Sequence, residues 1–496
     1  MVTSRRRGNG SKHCRGLGQK VYIIDPFGIS GRPDDPFHDL QAQYNPLADI
    51  DPNDPRAIDQ VNAIASSMIL VKSENGSTYW MEAARSLLKA TILHVISSPD
   101  IADDNRNLVH VYKLLCQGDR EKKQFLEEIE ADDIPSSHLL LFRAMEANPA
   151  FDELIASTGE SYAEMIAGAY KQYCGVIETL KANLEFMDSP GMQECLIDSS
   201  FSLKDLKDDP AGVSVYLCIP FEMLETHFRW LRMLIIRALS TFERQRYLPK
   251  AGQPVLMVLD EFAALQKMPS LQKGIAQMAG FGVKFLIAVQ DLNQLRDVYK
   301  DAWETFMGNC GIKLFLSNED QFTREYASKL VGEAQVRVRN VTGSTTESGS
   351  ETDGASTSTA LGRNTGKTKT DGKGRGRSTS FGPGLMSISS SSNSSSNTSD
   401  ALSEGLSRTE TLSTTTGLSR TIGVQINIQT RPLVRPDEMG RLYAYRPALD
   451  GRPYAGQTLL LLSGEQAIAF PRTLYHRHLR FAGLFDPHID HPIRPP

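Results

Sequence analysis

The sequence predicts an α/β protein in which a parallel sheet with helices on both faces is interrupted by an all-helical domain. Three observations carry this. Short apolar runs alternate with amphipathic stretches from Val213 to Val331, helical periodicity fills residues 56–200, and a Ser/Thr/Gly-rich tract separates the alternating region from a strand-rich C-terminus. The 496 residues are too many for one hydrophobic core and fit two or three domains. With 40% hydrophobic and 23% charged residues, the composition is that of a water-soluble globular chain, not a collagen-like or wholly disordered one. A net charge of -5 gives no global basic field for nucleic acid or anionic lipid. The six scattered cysteines, without C-x-x-C, read as reduced thiols. No run reaches the roughly 18 apolar residues of a membrane span.

In chain order, Lys20-Val-Tyr-Ile-Ile-Asp25-Pro26 is a β-branched and aromatic run stopped by proline, which predicts a buried strand ending in a loop. Residues 31–55 are rich in Pro and Asp, include Asn45-Pro46-Leu47, and predict a connecting loop. In the block 56–200, Trp80, Ala83, Ala84, Leu87, Leu88, Thr91, Ile92 and Val95 recur at three- and four-residue spacing, and further helices are expected at 108–115, 121–130 and 161–186. Strands are then predicted at 213–219, 255–259, 283–289 and 312–316, with helices at 221–247, 270–279, 293–307 and 321–331. Repeated β-α units of this length, over a domain of residues 201–340, imply a parallel sheet, and such sheets bind ligands at the carboxyl ends of their strands.

From Val341 to Arg420 the chain is dominated by Ser, Thr and Gly, including Ser387 to Ser396, which predicts a disordered insert bounded at 341–424. Within 425–496, Thr458 to Leu462 and Ala467 to Phe470 flank Ser463-Gly464-Glu465-Gln466, the signature of a hairpin returning to the sheet.

The residues that carry chemistry lie at two predicted strand ends. Val255-Leu-Met-Val-Leu-Asp260-Glu261 is an apolar strand ending in paired carboxylates, a Walker B pattern: Asp260 is suited to hold Mg²⁺ through water, and Glu261 to orient and deprotonate an attacking water. Strands that simply exit into solvent also end in carboxylates. One β-α unit later the next strand ends near Gln290, whose amide offers both donor and acceptor and suits a γ-phosphate sensor.

With Asp260-Glu261-Phe262, the spacing to Gln290 with Gln294-Leu295 after it, Asn309-Cys310 and Ser328-Lys-Leu-Val-Gly332, the sequence resembles type IV coupling proteins. These are the TraG-type hexameric ATPases of conjugation and type IV secretion, related to the FtsK and HerA DNA motors. Gly18 to Phe27, Asn45-Pro46-Leu47, Tyr79-Trp80 with Ala83-Ala84, Arg431 to Glu438 and Tyr454 to Asp486 extend the match to about Gly18–His488, outside the insert. The resemblance implies a RecA-like P-loop NTPase sheet that begins within residues 1–55 and is interrupted by an all-alpha domain contacting DNA or its protein carrier. It further implies ATP and Mg²⁺ as cofactors, with Asp260 on the metal and Glu261 and Gln290 catalytic. The implied partners are DNA, relaxase and relaxosome proteins and a secretion channel, for a homo-hexamer at the cytoplasmic side of the bacterial inner membrane.

Relatives place membrane-spanning helices, a strand and a Gly-rich phosphate loop ahead of the segment matching Lys20 to Phe27, so the chain is expected to be truncated before Walker A. No G-x-x-x-x-G-K-[ST] occurs in it: Gly362-Arg-Asn-Thr-Gly366-Lys367-Thr368 is one residue short and follows no strand, and Gly8-Asn-Gly10-Ser-Lys12 lacks adjacent Gly-Lys. Glu261 to Gln290 contains no arginine to act in a neighbour's site, and Arg324 is a weak substitute. His476, His478, His488 and His491 read as a metal group or an exposed tail, and Arg363 to Arg377 as a backbone-binding tract or a soluble linker. Two rivals stay open. One is a non-catalytic fragment or paralogue acting as a substrate-protein binding module; the other is an FtsK- or HerA-like DNA pump outside secretion.

Overall fold

In the computed structural model the described residues are 14–30, 38–71, 78–129, 135–347, 356–364, 403–413, 418–444, 455–474 and 478–484. They fall into two units, one of residues 1–323 with 443–496 and one of residues 324–442.

In the first unit β1 (Lys20–Ile24) pairs in parallel with β2 (Val213–Leu217), from Lys20↔Val213 to Ile24↔Leu217. The helical block lies between them in sequence: α1 (Ala57–Met68), α2 (Thr78–Ser97), α3 (Leu108–Gln117), α4 (Arg120–Glu128), α5 (Ser137–Glu146), α6 (Leu154–Gly168), α7 (Tyr170–Leu184) and α8 (Pro190–Ile197). The periodicity that predicts α2 is the one it buries, through Ala84, Leu87, Leu88, Thr91, Ile92 and Val95. Where one helix was expected over 161–186 there are two, broken at Ala169 with φ -141° and ψ 47°. Gly175 lets α7 approach α2, because a Cβ there would come within 2.8 Å of the Trp80 ring.

After the short α9 (Asp205–Asp208), α10 (Leu224–Arg244) runs behind the strands with Trp230, Leu231 and Phe242 buried. Its C-terminal carbonyls lack intrahelical donors, and fully buried Lys207 supplies them: Nζ donates to Phe242 O at 3.0 Å and Gln245 O at 2.7 Å. Gln60 on α1 accepts from Arg237 at 3.2 Å and Arg244 at 2.8 Å, tying the helical block to α10.

β3 (Val255–Leu259) and β4 (Val283–Ile287) form a second parallel pair, Val255↔Val283 to Leu259↔Ile287. Between them in sequence lies α11 (Pro269–Met278). β5 (Ile312–Phe315) pairs antiparallel with β10 (Gln457–Leu462), which forms the expected hairpin with β11 (Ile468–Pro471) around Gly464 at φ 83°.

The described strands of this unit make three small sheets, two of them the parallel pairs β1–β2 and β3–β4 that the α/β reading expects. An apolar cavity of about 420 Å³ is lined by β2, β3, Tyr44, Phe201 and residues of α10. Among the described residues one face of β3–β4 is left partly open: the register sets Val258 beside Leu286, and on that face Leu256 is 58% and Leu286 48% exposed.

The second unit begins within α14 (Gln321–Val331), which follows α12 (Leu292–Tyr299) and α13 (Glu304–Asn309). Its antiparallel sheet has the order β6-β9-β8-β7, with β6 (Glu333–Glu347), β7 (Ser356–Asn364), β8 (Ser403–Ser413) and β9 (Leu418–Pro432). Parts of the 341–424 insert lie in these strands. A Ser/Thr-rich chain needs no apolar face to close a ladder: β6 and β9 pair from Glu333↔Pro432 to Glu347↔Leu418, which satisfies backbone groups directly, and threonine favours strands. Ser387 to Ser396 lie outside the described residues. α15 (Pro436–Leu442) comes next in the chain, and Ser328 Oγ donates to Val434 O at 2.6 Å.

Candidate functional site

The apolar run of β3 stops at Leu259, and the next two residues turn at the strand's carboxyl end. Asp260 Oδ1 accepts the Glu261 N–H at 3.2 Å. Glu261 itself has φ 50° and ψ 44°, a left-handed backbone that costs a non-glycine residue about 1–2 kcal/mol. Buried neighbours hold it there. Phe262 is fully buried against Phe306 at 5.3 Å and Tyr299 at 5.9 Å between ring centres, and its N–H bonds Ala288 O at 3.1 Å. From α10, buried Arg232 donates to Leu265 O at 2.6 Å and Lys267 O at 2.9 Å. Burial pulls the Arg232 pKa down to about 10, and the guanidinium reaches the two carbonyls as a buried donor.

The parallel register brings the end of β4 alongside. Gln290 Nε2 donates to Glu261 Oε1 at 3.3 Å and Oε2 at 3.2 Å. Asp291 caps α12 by accepting the Gln294 N–H at 2.9 Å, and Gln294 Nε2 reaches Gln290 Oε1 at 3.3 Å. Beyond β5, Asn318 Nδ2 donates to Gln290 O at 3.3 Å. The α12 entry is pinned by Leu292 N–H to Thr323 Oγ1 at 3.0 Å and Asn293 Nδ2 to Asp320 Oδ2 at 3.1 Å. Polar groups after β4 and β5 thus hold Gln290, which itself bonds the Glu261 carboxylate.

Asp260 and Glu261 offer adjacent hard oxygen donors, which fit a Mg²⁺ that keeps most of its waters. Among the described residues no group of three or more His, Cys, Asp or Glu forms a closed metal cage. For a nucleotide's phosphates the fit is partial, since the sequence has no glycine-rich loop to cradle them.

A family model for conjugative DNA transfer by the type IV secretory system matches residues 10–361. The chain belongs to that family. Protein VirD4 of Agrobacterium fabrum is 27% identical over 301 residues, covering 60% of this chain and 41% of that protein. The conjugal transfer protein TraG of Escherichia coli is 25% identical over 359 residues, covering 71% of this chain and 51% of that one. The chain thus spans about two fifths to one half of the length of these relatives. Among solved structures, the bacterial conjugative coupling protein TrwBdeltaN70 in its unbound form aligns at 14% identity and TM-score 0.47, covering 93% of this chain and 76% of that one. TrwB in complex with ADP and Mg²⁺ aligns at 14% identity and TM-score 0.44, covering 95% and 84%.

In this member of the conjugative DNA transfer family, the structure brings Asp260, Glu261 and Gln290 together as the sequence predicts. Sequence reasoning missed the anchoring by Arg232 and the polar tip Asn318; a polar Asn two residues after an apolar strand was the only signal for the latter. Arg324 packs against Gly440 in the second unit, with Nη2 2.7 Å from where a Cβ would stand. His478 accepts the Arg480 N–H at 3.2 Å, while His476, His488 and His491 lie outside the described residues. So do residues 1–13 and 365–402, which hold Gly8 to Lys12 and most of the basic tract.

Proposed function

We propose that this chain is the motor part of a conjugative coupling protein, an ATP-driven, homo-hexameric DNA translocase with a RecA-like core that links a relaxase–DNA complex to a type IV secretion channel at the cytoplasmic face of the inner membrane. The observation that carries this reading is the Gln290 amide on the Glu261 carboxylate, 3.2 Å apart at neighbouring parallel strand ends beside Asp260. Asp260 would supply an oxygen to hydrated Mg²⁺, Glu261 would accept a proton from water at Oε1 or Oε2, and Gln290 would present an N–H to an anionic oxygen. Bound Mg-ATP supplies the electrophilic phosphorus. Among the described residues no helix is long and apolar enough to cross a membrane.

The helical block supports contact with the protein carrier more than with DNA. Residues 56–200 hold 23 Asp and Glu against 12 Lys and Arg, and phosphate-backbone binding needs the opposite balance. The deciding experiment is ATP turnover, with Asp260→Asn and Glu261→Gln, in a chain extended upstream by a relative's phosphate loop. Turnover near wild type in both would remove the assignment. The rival reading is a non-catalytic module that binds substrate protein, and tight Mg-ATP binding with turnover would exclude it.

A further inference from the structure

We propose that Gln294 is a positioning residue that sets which way the Gln290 amide points. The catalytic consequence rests on the ATPase reading above; the geometry does not. An ionised carboxylate only accepts hydrogen bonds, so the Gln290 amide contacts Glu261 productively through Nε2 alone, as observed at 3.3 and 3.2 Å. That leaves Oε1 facing away. The two ends of an amide have nearly the same shape, so an exposed glutamine held at one end turns over easily. Here the other end is held as well: Gln294 Nε2 lies 3.3 Å from Oε1, donor on acceptor.

Gln294 is itself fixed on the first turn of α12. Its N–H bonds Asp291 Oδ1 at 2.9 Å, and neighbouring Leu295 is buried. Asn318 restrains the Gln290 backbone from the β5 side. The direction of donors therefore runs one way, from Gln294 through Gln290 to Glu261. In this arrangement the Gln290 NH₂ engages both Glu261 oxygens, and it can pass to another anionic oxygen by swinging, with no need to flip. A neutral hydrogen bond of ordinary strength biases two amide orientations by about twofold to tenfold.

The test exchanges donor for acceptor at residue 294 in the full chain and needs no nucleotide. Gln294→Glu is nearly isosteric but only accepts, so the Gln290 NH₂ should turn towards it; Gln294→Lys only donates and should keep the native direction. Side-chain amide ¹H–¹⁵N spectra of Gln-labelled protein, with Gln290 identified by its loss in Gln290→Leu, are compared with and without Glu261→Ala as a double-mutant cycle. Glu261→Ala is expected to move the Gln290 NH₂ resonances in wild type and in Gln294→Lys. In Gln294→Glu that displacement should shrink at least about twofold, with melting temperatures alike. An equal displacement in all three backgrounds overturns the proposal. Failure of the ATPase reading appears separately, as Glu261→Gln turnover equal to wild type, and leaves these spectra unaffected.

Discussion

The guanidinium of Arg232 donates to the Leu265 carbonyl at 2.6 Å, and through that bond α10 is fastened to the segment just after Glu261. The strained Glu261 turn is therefore supported from beneath by a buried cation, not by the strands alone.

Arg232→Met should fill most of the same space while leaving the Leu265 and Lys267 carbonyls without their donor. The expected loss is about 1–3 kcal/mol of unfolding free energy, the cost of buried unsatisfied acceptors, read from the urea midpoint. An unchanged midpoint would show that water replaces the guanidinium freely.

The two carboxylates of the site should respond differently once a phosphate loop is supplied. Glu261→Gln keeps shape but loses the proton acceptor, so nucleotide still binds while turnover falls about a hundredfold to ten-thousandfold. Asp260→Asn should instead weaken the Mg²⁺ dependence of nucleotide binding, because it removes the charge nearest the metal.

The chain as it stands should bind Mg-ATP weakly, since a carboxylate pair holds a hydrated metal but offers no N–H donors to the phosphates. Calorimetry that returned a sub-millimolar affinity would contradict this.

Acid should destabilise the helical block through His94. Burial lowers its pKa to about 4 from 6.5, and its Nδ1 faces the Asn148 Nδ2 donor at 3.1 Å, which requires a neutral ring. The folded pKa lies below the unfolded one, so the unfolded state binds more protons between them. This contribution to stability is present above about pH 6.5 and is lost as pH drops through 4, by on the order of 3 kcal/mol. His94→Gln should flatten that part of the urea-stability profile.

Replacing residues 348–417 by Asn-Gly should preserve the β6–β9 ladder. The register ends at Glu347↔Leu418, where a two-residue turn closes an antiparallel hairpin. Amide exchange protection over 333–340 that matched wild type would confirm it, and loss of protection would show that β7 and β8 support the pair.

Sequence alone made the strand ends legible because apolar runs stop where carboxylates begin: Val255 to Leu259 and the Asp260-Glu261 pair stand as expected, as does the hairpin around Gly464. Three things were not legible. The break at Ala169 lies inside an unbroken helical period, and the Ser/Thr ladder of β6 and β9 depends on backbone bonding that composition does not report. Arg232 reads as one more polar residue of an amphipathic helix, although it is 3% exposed, because only the third dimension shows which carbonyls it meets.

Leu256 and Leu286 leave apolar surface open to water on the face of β3–β4 that also carries exposed Lys284. Attraction between such surfaces strengthens on warming from the cold and in sulfate, whereas attraction between charges fades as ionic strength rises. Self-association of this chain should therefore grow with temperature and with sulfate and be least in cold, dilute buffer, so its apparent mass in solution depends on the choice of anion.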